Sequence, residues 1–233
     1  MSDATDSPPE WRNFYGRIRG HTLRASQRAY LSEDLDTLRP AGVSRDENPD
    51  RNPIEPAALF GDDRPVWLEI GFGGGEHLVH MAATYPDIGI IGAEPYVNGV
   101  AMLLGKIRAA GVSNLAVHPG DVRDLMEVLP AASLDRVFLN YPDPWPKRRH
   151  HRRRFVTREH LAPLARVMRP GAEFRVATDI PDYVRQTLVE VPKAGFDLVS
   201  RGGDPWPDWI ATRYEEKALR EGRVPHYVTF RRR

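Results

Sequence analysis

The chain reads as an α/β protein built on a doubly wound, mostly parallel seven-stranded sheet that ends in an antiparallel edge pair. Three observations predict this. Short apolar runs alternate with segments of helical period from residue 66 onward, the pattern of a parallel sheet with helices on both faces. A glycine cluster, Gly71, Gly73, Gly74 and Gly75, directly follows the first of these runs. The last two strand-like pieces are separated by a Pro/Trp-rich stretch, which suits an antiparallel pair finishing the sheet edge.

Residues 1–60 contain few apolar residues in any period and many Pro, Asn, Asp and Arg. They are expected to form a mobile basic N-terminal arm and linker, with one short helix near 32–38. Within it, Arg12, Phe14, Tyr15, Arg17, Arg19 and Arg24 mix guanidinium groups with aromatic rings. Such a mixture grips phosphates and stacks bases, or it is a solvated tail; composition leaves both readings open.

Residues 61–233 form the expected domain, since 233 residues with 41% hydrophobic content support one substantial core. A buried strand over 66–70 leads through the glycines into a helix over 76–85. A second strand over 88–93 precedes a helix over 98–110, in which Val100, Leu103, Leu104 and Ile107 share a face. The alternation continues with a strand over 115–118 and a helix over 122–129, then a strand over 135–139 and a helix over 157–168. A strand over 173–177, a helix over 182–191 and two last strands over 196–200 and 226–231 complete the series.

The formal net charge is only +1, so a nucleic-acid reading must rest on where Arg and Lys cluster. With no cysteine, disulfides, thiolate metal sites and a thiol nucleophile are excluded, and a reducing cytoplasm is compatible. The polar start, 1–10, and the lack of any long apolar run predict a soluble, cytoplasmic protein with no membrane segment.

In Glu69-Ile70-Gly71-Phe72-Gly73-Gly74-Gly75 the residues without side chains let the backbone turn sharply and approach a ligand at a helix start. The spacing is G-x-G-x-G, not the dinucleotide fingerprint G-x-G-x-x-G, and Glu69 would repel a pyrophosphate. That disfavours a nicotinamide oxidoreductase. A carboxylate at Glu69 suits a cationic or amino-bearing ligand, Glu94 is placed to accept from two ribose hydroxyls, and Asp121 could meet an adenine amino group. S-adenosylmethionine has all three features. The plain alternative is glycines for packing and solvated loop acids.

Asp143 stands in Asn140-Tyr141-Pro142-Asp143-Pro144-Trp145-Pro146-Lys147, with Arg148-Arg149-His150-His151-Arg152-Arg153-Arg154 directly behind it. Prolines on both sides fix the backbone and remove amide donors, which suits an irregular segment that aims a side chain. The dense cations behind need an anionic partner or full solvation, and their place beside a fixed carboxylate favours contact with nucleic-acid phosphates. His150 and His151 do not make a metal site, because adjacent histidines cannot easily share one ion and the arginines oppose a cation. No metal is expected. Asp204-Pro205-Trp206-Pro207 repeats the Asp-Pro-Trp-Pro string, but no basic run follows it and no strand directly precedes it.

Taken together, the Glu69–Gly73 loop, Pro142 to Lys147 with Arg149-His150 and the basic triplet, Ala177-Thr178-Asp179, and Thr212-Arg213-Tyr214-Glu215 resemble the bacterial tRNA (guanine-N7)-methyltransferases, the TrmB family. The resemblance runs from about Gly16 to near the C-terminus. The proline-framed segment with its basic tail is specific, whereas the glycine loop is common to most S-adenosylmethionine enzymes. The resemblance implies a Rossmann-like class I methyltransferase fold and methylation of guanosine 46 in the tRNA variable loop. It implies S-adenosylmethionine at Glu69, Gly71, Gly73, Glu94, Asp121 and Asp143, with Asp143 also catalytic. It places Lys147, Asp179, Thr212, Arg213, Tyr214 and Glu215 on the substrate, and the basic run suggests phosphate contacts from Arg149, Arg152, Arg153 and Arg154. tRNA is the implied partner, and nothing in the sequence calls for a second protein. The chain departs from the family pattern at Pro95-Tyr96, Asn140-Tyr141 and Arg213-Tyr214; at the last, Arg presents its donors differently from the more typical Lys.

Guanine N7 carries a lone pair and no proton, so attack on a sulfonium methyl needs no general base. Asp143 is therefore expected to orient guanine or cofactor and to favour the positive charge that the ring acquires. Asp179 could accept from guanine N1–H and the exocyclic amine, or cap the helix that follows it. Two other readings stand beside this one: an amino-methyltransferase acting on RNA or DNA, faintly echoed by Asn140-Tyr141-Pro142, and a non-catalytic RNA-binding protein on the same scaffold.

Overall fold

A computed structural model describes residues 16–233. Arg12, Phe14 and Tyr15 of the expected arm lie outside the described residues. The sheet has seven strands: β1 (Val66–Ile70), β2 (Gly89–Ala93), β3 (Leu115–His118), β4 (Leu134–Asn140), β5 (Met168–Thr178), β6 (Phe196–Gly202) and β7 (His226–Arg232). Their order is β3-β2-β1-β4-β5-β7-β6. The first five are parallel, and β7 runs antiparallel between β5 and β6. The doubly wound sheet with an antiparallel edge pair is thus the observed fold.

β1, β2 and the edge strand β3 are buried on both faces, which is why each reads as a continuous apolar run. Alternation sorts the residues between two cores. Leu68 and Ile70 pack with Val137, Leu139, Phe174 and Val176 on one face, while Trp67 packs with Leu78, Leu103 and Phe138 on the other. The covering helices are α4 (Glu76–Thr84), α5 (Val97–Ala110), α6 (Val122–Val128), α7 (Arg158–Val167) and α8 (Pro181–Lys193), each within a few residues of its expected bounds. Strand order reverses between β1 and β4, so a crevice opens at their carboxyl ends, where open α/β sheets bind ligands.

Three features differ from expectation. β5 begins at Met168, before the expected 173, because Met168 already pairs with Leu134; the exposed Arg169-Pro170-Gly171 then makes an irregularity in the ladder. A helix, α9 (Arg213–Arg220), lies in the stretch expected to be irregular. In the first sixty residues the structure has α1 (Ala25–Glu33), α2 (Leu35–Leu38) and α3 (Pro56–Phe60) instead of one helix near 32–38. From Gly16 on this segment lies against the domain. The Val97 N–H donates to the Ile18 carbonyl at 2.9 Å, and Asn98 bonds Gly20 and His21 at 2.9 and 2.7 Å. Arg108 of α5 lies over the Tyr30 ring at 4.8 Å and pairs with Glu33 and Asp34 at 2.6 Å. α2 and α3, at four and five residues, are too short for a helical period to show, and α1 has few apolar residues; Tyr30 and Leu31 pack against the core and the Arg108 ion pairs help hold α1 in place.

Candidate active site

At the carboxyl ends of β1, β2 and β4 lies a cavity of about 1090 Å³, bordered by Gly71, Gly73, Glu94, Asp121, Asp143 and Arg213 among others. The glycine loop forms its floor. Gly73 has φ of +57°, and a Cβ there would stand 2.9 Å from the Tyr214 ring. A Cβ on Gly99 would stand 2.3 Å from the Gly73 carbonyl oxygen. Both glycines therefore let α5 and α9 close in on the loop.

Glu94, at the end of β2, is buried and accepts from the Gly73 and Tyr96 backbone N–H groups at 2.8 and 2.9 Å. Burial pushes its carboxyl above the usual range, the Asp143 charge adds to this, and the two backbone donors oppose it. Asp121 caps α6, accepting from the Arg123 N–H at 2.9 Å and from the Arg123 guanidinium. Burial alone would raise its carboxyl, but the Arg123 hydrogen bonds outweigh it and hold the group below its ordinary value. Glu69 is not among the residues bordering the cavity. It is 2% exposed, with His77 Nδ1 at 2.8 Å and Asn140 Nδ2 at 3.4 Å, so it ties the end of β1 to α4 and β4.

Asn140 to Pro146 forms an irregular turn with two non-glycine residues at positive φ, Tyr141 at +47° and Trp145 at +40°. Each such residue costs about 1–3 kcal/mol and persists only where its surroundings hold it. Asp143, between them, borders the cavity and makes no hydrogen bond or ion pair with the described residues. It remains exposed to the cavity, yet partial burial between the walls pushes its carboxyl above the usual range. The basic run behind it is a 3-10 helix, Arg148–Arg153, whose Arg148, Arg149 and Arg152 are exposed together with the preceding Lys147. Arg153 lies over the Trp145 ring at 4.9 Å. Arg154 corrects an expectation. It is 1% exposed, its guanidinium turned inward onto the Pro144 and Trp145 carbonyls and the side chains of Gln186 and Asp182, so it offers nothing to a surface phosphate.

Of the expected substrate residues, Arg213 and Tyr214 border the cavity, whereas Lys147, Asp179, Thr212 and Glu215 do not. Thr212 caps α9, its hydroxyl accepting from the Glu215 N–H at 3.3 Å. Glu215 is buried; its carboxylate accepts from Trp209 Nε1 at 2.6 Å and from the Tyr227 hydroxyl. Asp179 Oδ2 pairs with Arg223. The second Asp-Pro-Trp-Pro string is a packing element: Trp206 meets Tyr227 and Trp209 edge-on at 5.2 and 5.6 Å, and Asp204 is exposed. Arg17, read from the sequence only as part of a phosphate-gripping or solvated arm, borders the cavity, as do Tyr96, Arg123 and His160, which sequence reasoning missed as site residues. Only the Asp121-x-Arg123 spacing at a helix start offered a signal.

Among the described residues no group of three or more His, Cys, Asp or Glu is placed to hold a metal ion, and no helix is long and apolar enough to cross a membrane.

Residues 63–227 match the model of a family described as "Putative methyltransferase". A tRNA (guanine-N(7)-)-methyltransferase of Paracoccus denitrificans (strain Pd 1222) is 75% identical over 233 residues, covering 100% of each chain. One from Cereibacter sphaeroides is 75% identical over 224 residues, covering 96% of this chain and 92% of that protein. Among solved structures, an antibiotic related methyltransferase shares the fold with a TM-score of 0.58 at 19% identity, over 84% of this chain and 98% of its own. The 16S rRNA methyltransferase KamB does so with a TM-score of 0.56 at 16% identity, over 77% and 95%. With a family match across most of its sheet and relatives alike over its whole length, the chain belongs to the tRNA (guanine-N(7)-)-methyltransferase family.

Proposed function

We propose that this chain transfers the methyl group of S-adenosylmethionine to N7 of guanosine 46 in the variable loop of tRNA, in the cytoplasm. The observation that carries this reading is the Asp143 carboxylate, which has no hydrogen-bond or ion-pair partner among the described residues, faces an acid-bordered cavity and is backed by the exposed cations of the 3-10 helix. The names of relatives alike over the full length support the same reaction.

The cavity residues fit that cofactor. Glu94 and Asp143 lie near enough that the charge of one raises the carboxyl of the other, a cost that a bound cation relieves. Glu94 is the acid proposed to meet the ribose hydroxyls. Asp121 already receives three donors from Arg123, and a carboxylate with about four lone-pair sites retains room for one more, such as an adenine amine. Gly71 and Gly73 keep the floor free of side chains. Glu69 is proposed to brace the loop through His77 and Asn140 rather than to touch the ligand.

S-adenosylmethionine supplies an electrophilic methyl on a sulfonium. The chain needs no general base, because N7 has no proton to lose. Asp143 orients the base and stabilises the positive charge that develops on it, and the walls that restrict water around it strengthen that interaction. Asp179 is proposed to read guanine through Oδ1, with Arg223 holding Oδ2. The exposed Lys147, Arg149 and Arg152, with Arg153 beside them, meet neighbouring phosphates. The test is methyl transfer from labelled cofactor to tRNA lacking the modification, followed by borohydride and aniline. Chain cleavage at the variable loop is expected; tRNA that is neither labelled nor cleaved there overturns the reading.

A further inference from the structure

We infer that Arg154 is the positioning residue for Asp143, fixing its direction by holding the backbone of the proline-framed turn from below. The inference rests on the reading of Asp143 as the group that faces the reacting base. Pro142, Pro144 and Pro146 have no N–H, so the turn offers mainly carbonyl acceptors and has few amides of its own to lock it. Its upstream end is fastened by the Tyr141 N–H, which donates to the Ala177 carbonyl of β5 at 2.8 Å. Its downstream end is fastened by Arg154, whose Nε donates to the Pro144 carbonyl at 2.8 Å and whose Nη2 reaches the Trp145 carbonyl at 3.4 Å. Trp145 is one of the two residues at positive φ, so the carbonyls Arg154 holds are those of the least relaxed part of the turn.

The guanidinium is itself anchored on the far side. Nη1 lies 2.9 Å from Gln186 Oε1 and 2.9 Å from Asp182 Oδ2 of α8, and its plane stands 5.2 Å from the Tyr183 ring centre. One side chain thus joins the Asp143 turn to the helix after β5. Asp143 makes no hydrogen bond with the described residues, so its direction depends on the backbone on either side of it. Only a forked donor can take two carbonyls and two helix side chains together; a lysine in its place is a single point charge.

The test compares the whole protein with its Arg154→Lys variant, and with Gln186→Ala should the first not fold. Glu94, just after β2, and Tyr183 of α8 interact with the Asp143 charge, and Asp143 shares the cavity wall with the charged and titratable Arg17, Tyr96, Asp121, Arg123, Tyr141, Arg152, Arg153, Glu159, His160, Arg213 and Tyr214. All of them stay in both variants. Three results are expected: kcat for methyl transfer falls roughly 10- to 100-fold, the KM for tRNA stays within about twofold, and the salt dependence of tRNA binding is unchanged. A carbon-13 titration of the Asp143 carboxyl, which needs no methyl acceptor, is expected to move down towards the ordinary aspartate value as the turn loosens into water. Unchanged kcat with an unchanged Asp143 titration overturns the inference, and so does a loss confined to tRNA KM with a shallower salt slope, which would mark a phosphate contact. If the unaltered protein methylates no guanine N7, the functional reading fails, while the carboxyl titration still decides the role of Arg154.

Discussion

The Glu94 carboxylate accepts from the Gly73 backbone N–H at 2.8 Å, so the end of β2 and the glycine loop of β1 are joined by one buried acid. Removing it leaves two backbone donors, on Gly73 and Tyr96, without their acceptor. Glu94→Ala is expected to weaken S-adenosylmethionine binding by about 10- to 100-fold, the range for losing a charged hydrogen-bond partner. Calorimetric titration of cofactor measures it. Because burial raises the Glu94 carboxyl, affinity should begin to fall at a higher pH than an ordinary glutamate would allow. A variant that binds cofactor as tightly as the parent would remove Glu94 from the site.

Asp143→Asn separates catalysis from stability. The Asp143 carboxyl is raised above the unfolded value by partial burial, so the contribution of this group to stability is present below the unfolded pKa and lost as pH rises through the folded one. At neutral pH the charged form is a burden on the fold. The Asp143→Asn variant lacks that burden, and its Tm near pH 7.5 is expected to rise by about 1–2 °C, with the gain vanishing below about pH 4. Methyl transfer should fall about 100- to 1,000-fold, as when an electrostatic stabiliser of the transition state is lost. A fall in both Tm and activity would show that Asp143 supports the fold instead.

Strands β1, β2 and β3 were legible because each is buried along its whole length, so each reads as a short apolar run whose length of four or five residues and flanking turn residues favour a strand over a helix. The acids at successive strand ends were legible from the same pattern. α9 was not: apart from Glu215 and Ala218 its residues reach solvent, so no apolar stripe marks it, although Thr212-x-x-Glu215 is a capping pattern. The inward side chain of Glu69 follows from alternation, since it shares the face of Trp67 and so points under α4. Nothing in the sequence distinguishes Arg154 from Arg152 or Arg153; the path by which the chain leaves the 3-10 helix buries Arg154 and leaves Arg152 exposed.

Glu215 is expected to matter through α9 and not through contact with substrate. Trp209 and Tyr227 both donate to its buried carboxylate, and its N–H is capped by Thr212. Glu215→Ala strands both donors and should destabilise by about 3 kcal/mol, a loss of roughly 6–12 °C in Tm. Thr212→Ala, which removes only the cap, should cost about 1 kcal/mol. Since α9 carries Arg213 and Tyr214 over Gly73, both variants should also weaken cofactor binding in the same order. Equal Tm for Glu215→Ala and the parent would show that this carboxylate does not hold α9.

The cations behind Asp143 divide by exposure, and the salt dependence of tRNA binding should divide in the same way. Each phosphate contact releases counterions, so neutralising a contacting cation makes the fall of affinity with salt shallower, by about one unit in the log–log slope. Arg149 and Arg152 are exposed, and Arg149→Ala and Arg152→Ala should each flatten the slope by about that amount. Arg153, half-buried over the Trp145 ring, should give a smaller change. Equilibrium binding of tRNA across a series of salt concentrations checks this. If Arg149→Ala and Arg152→Ala leave the slope where it was, the 3-10 helix does not follow the RNA backbone, and the phosphates lie against another face of the protein.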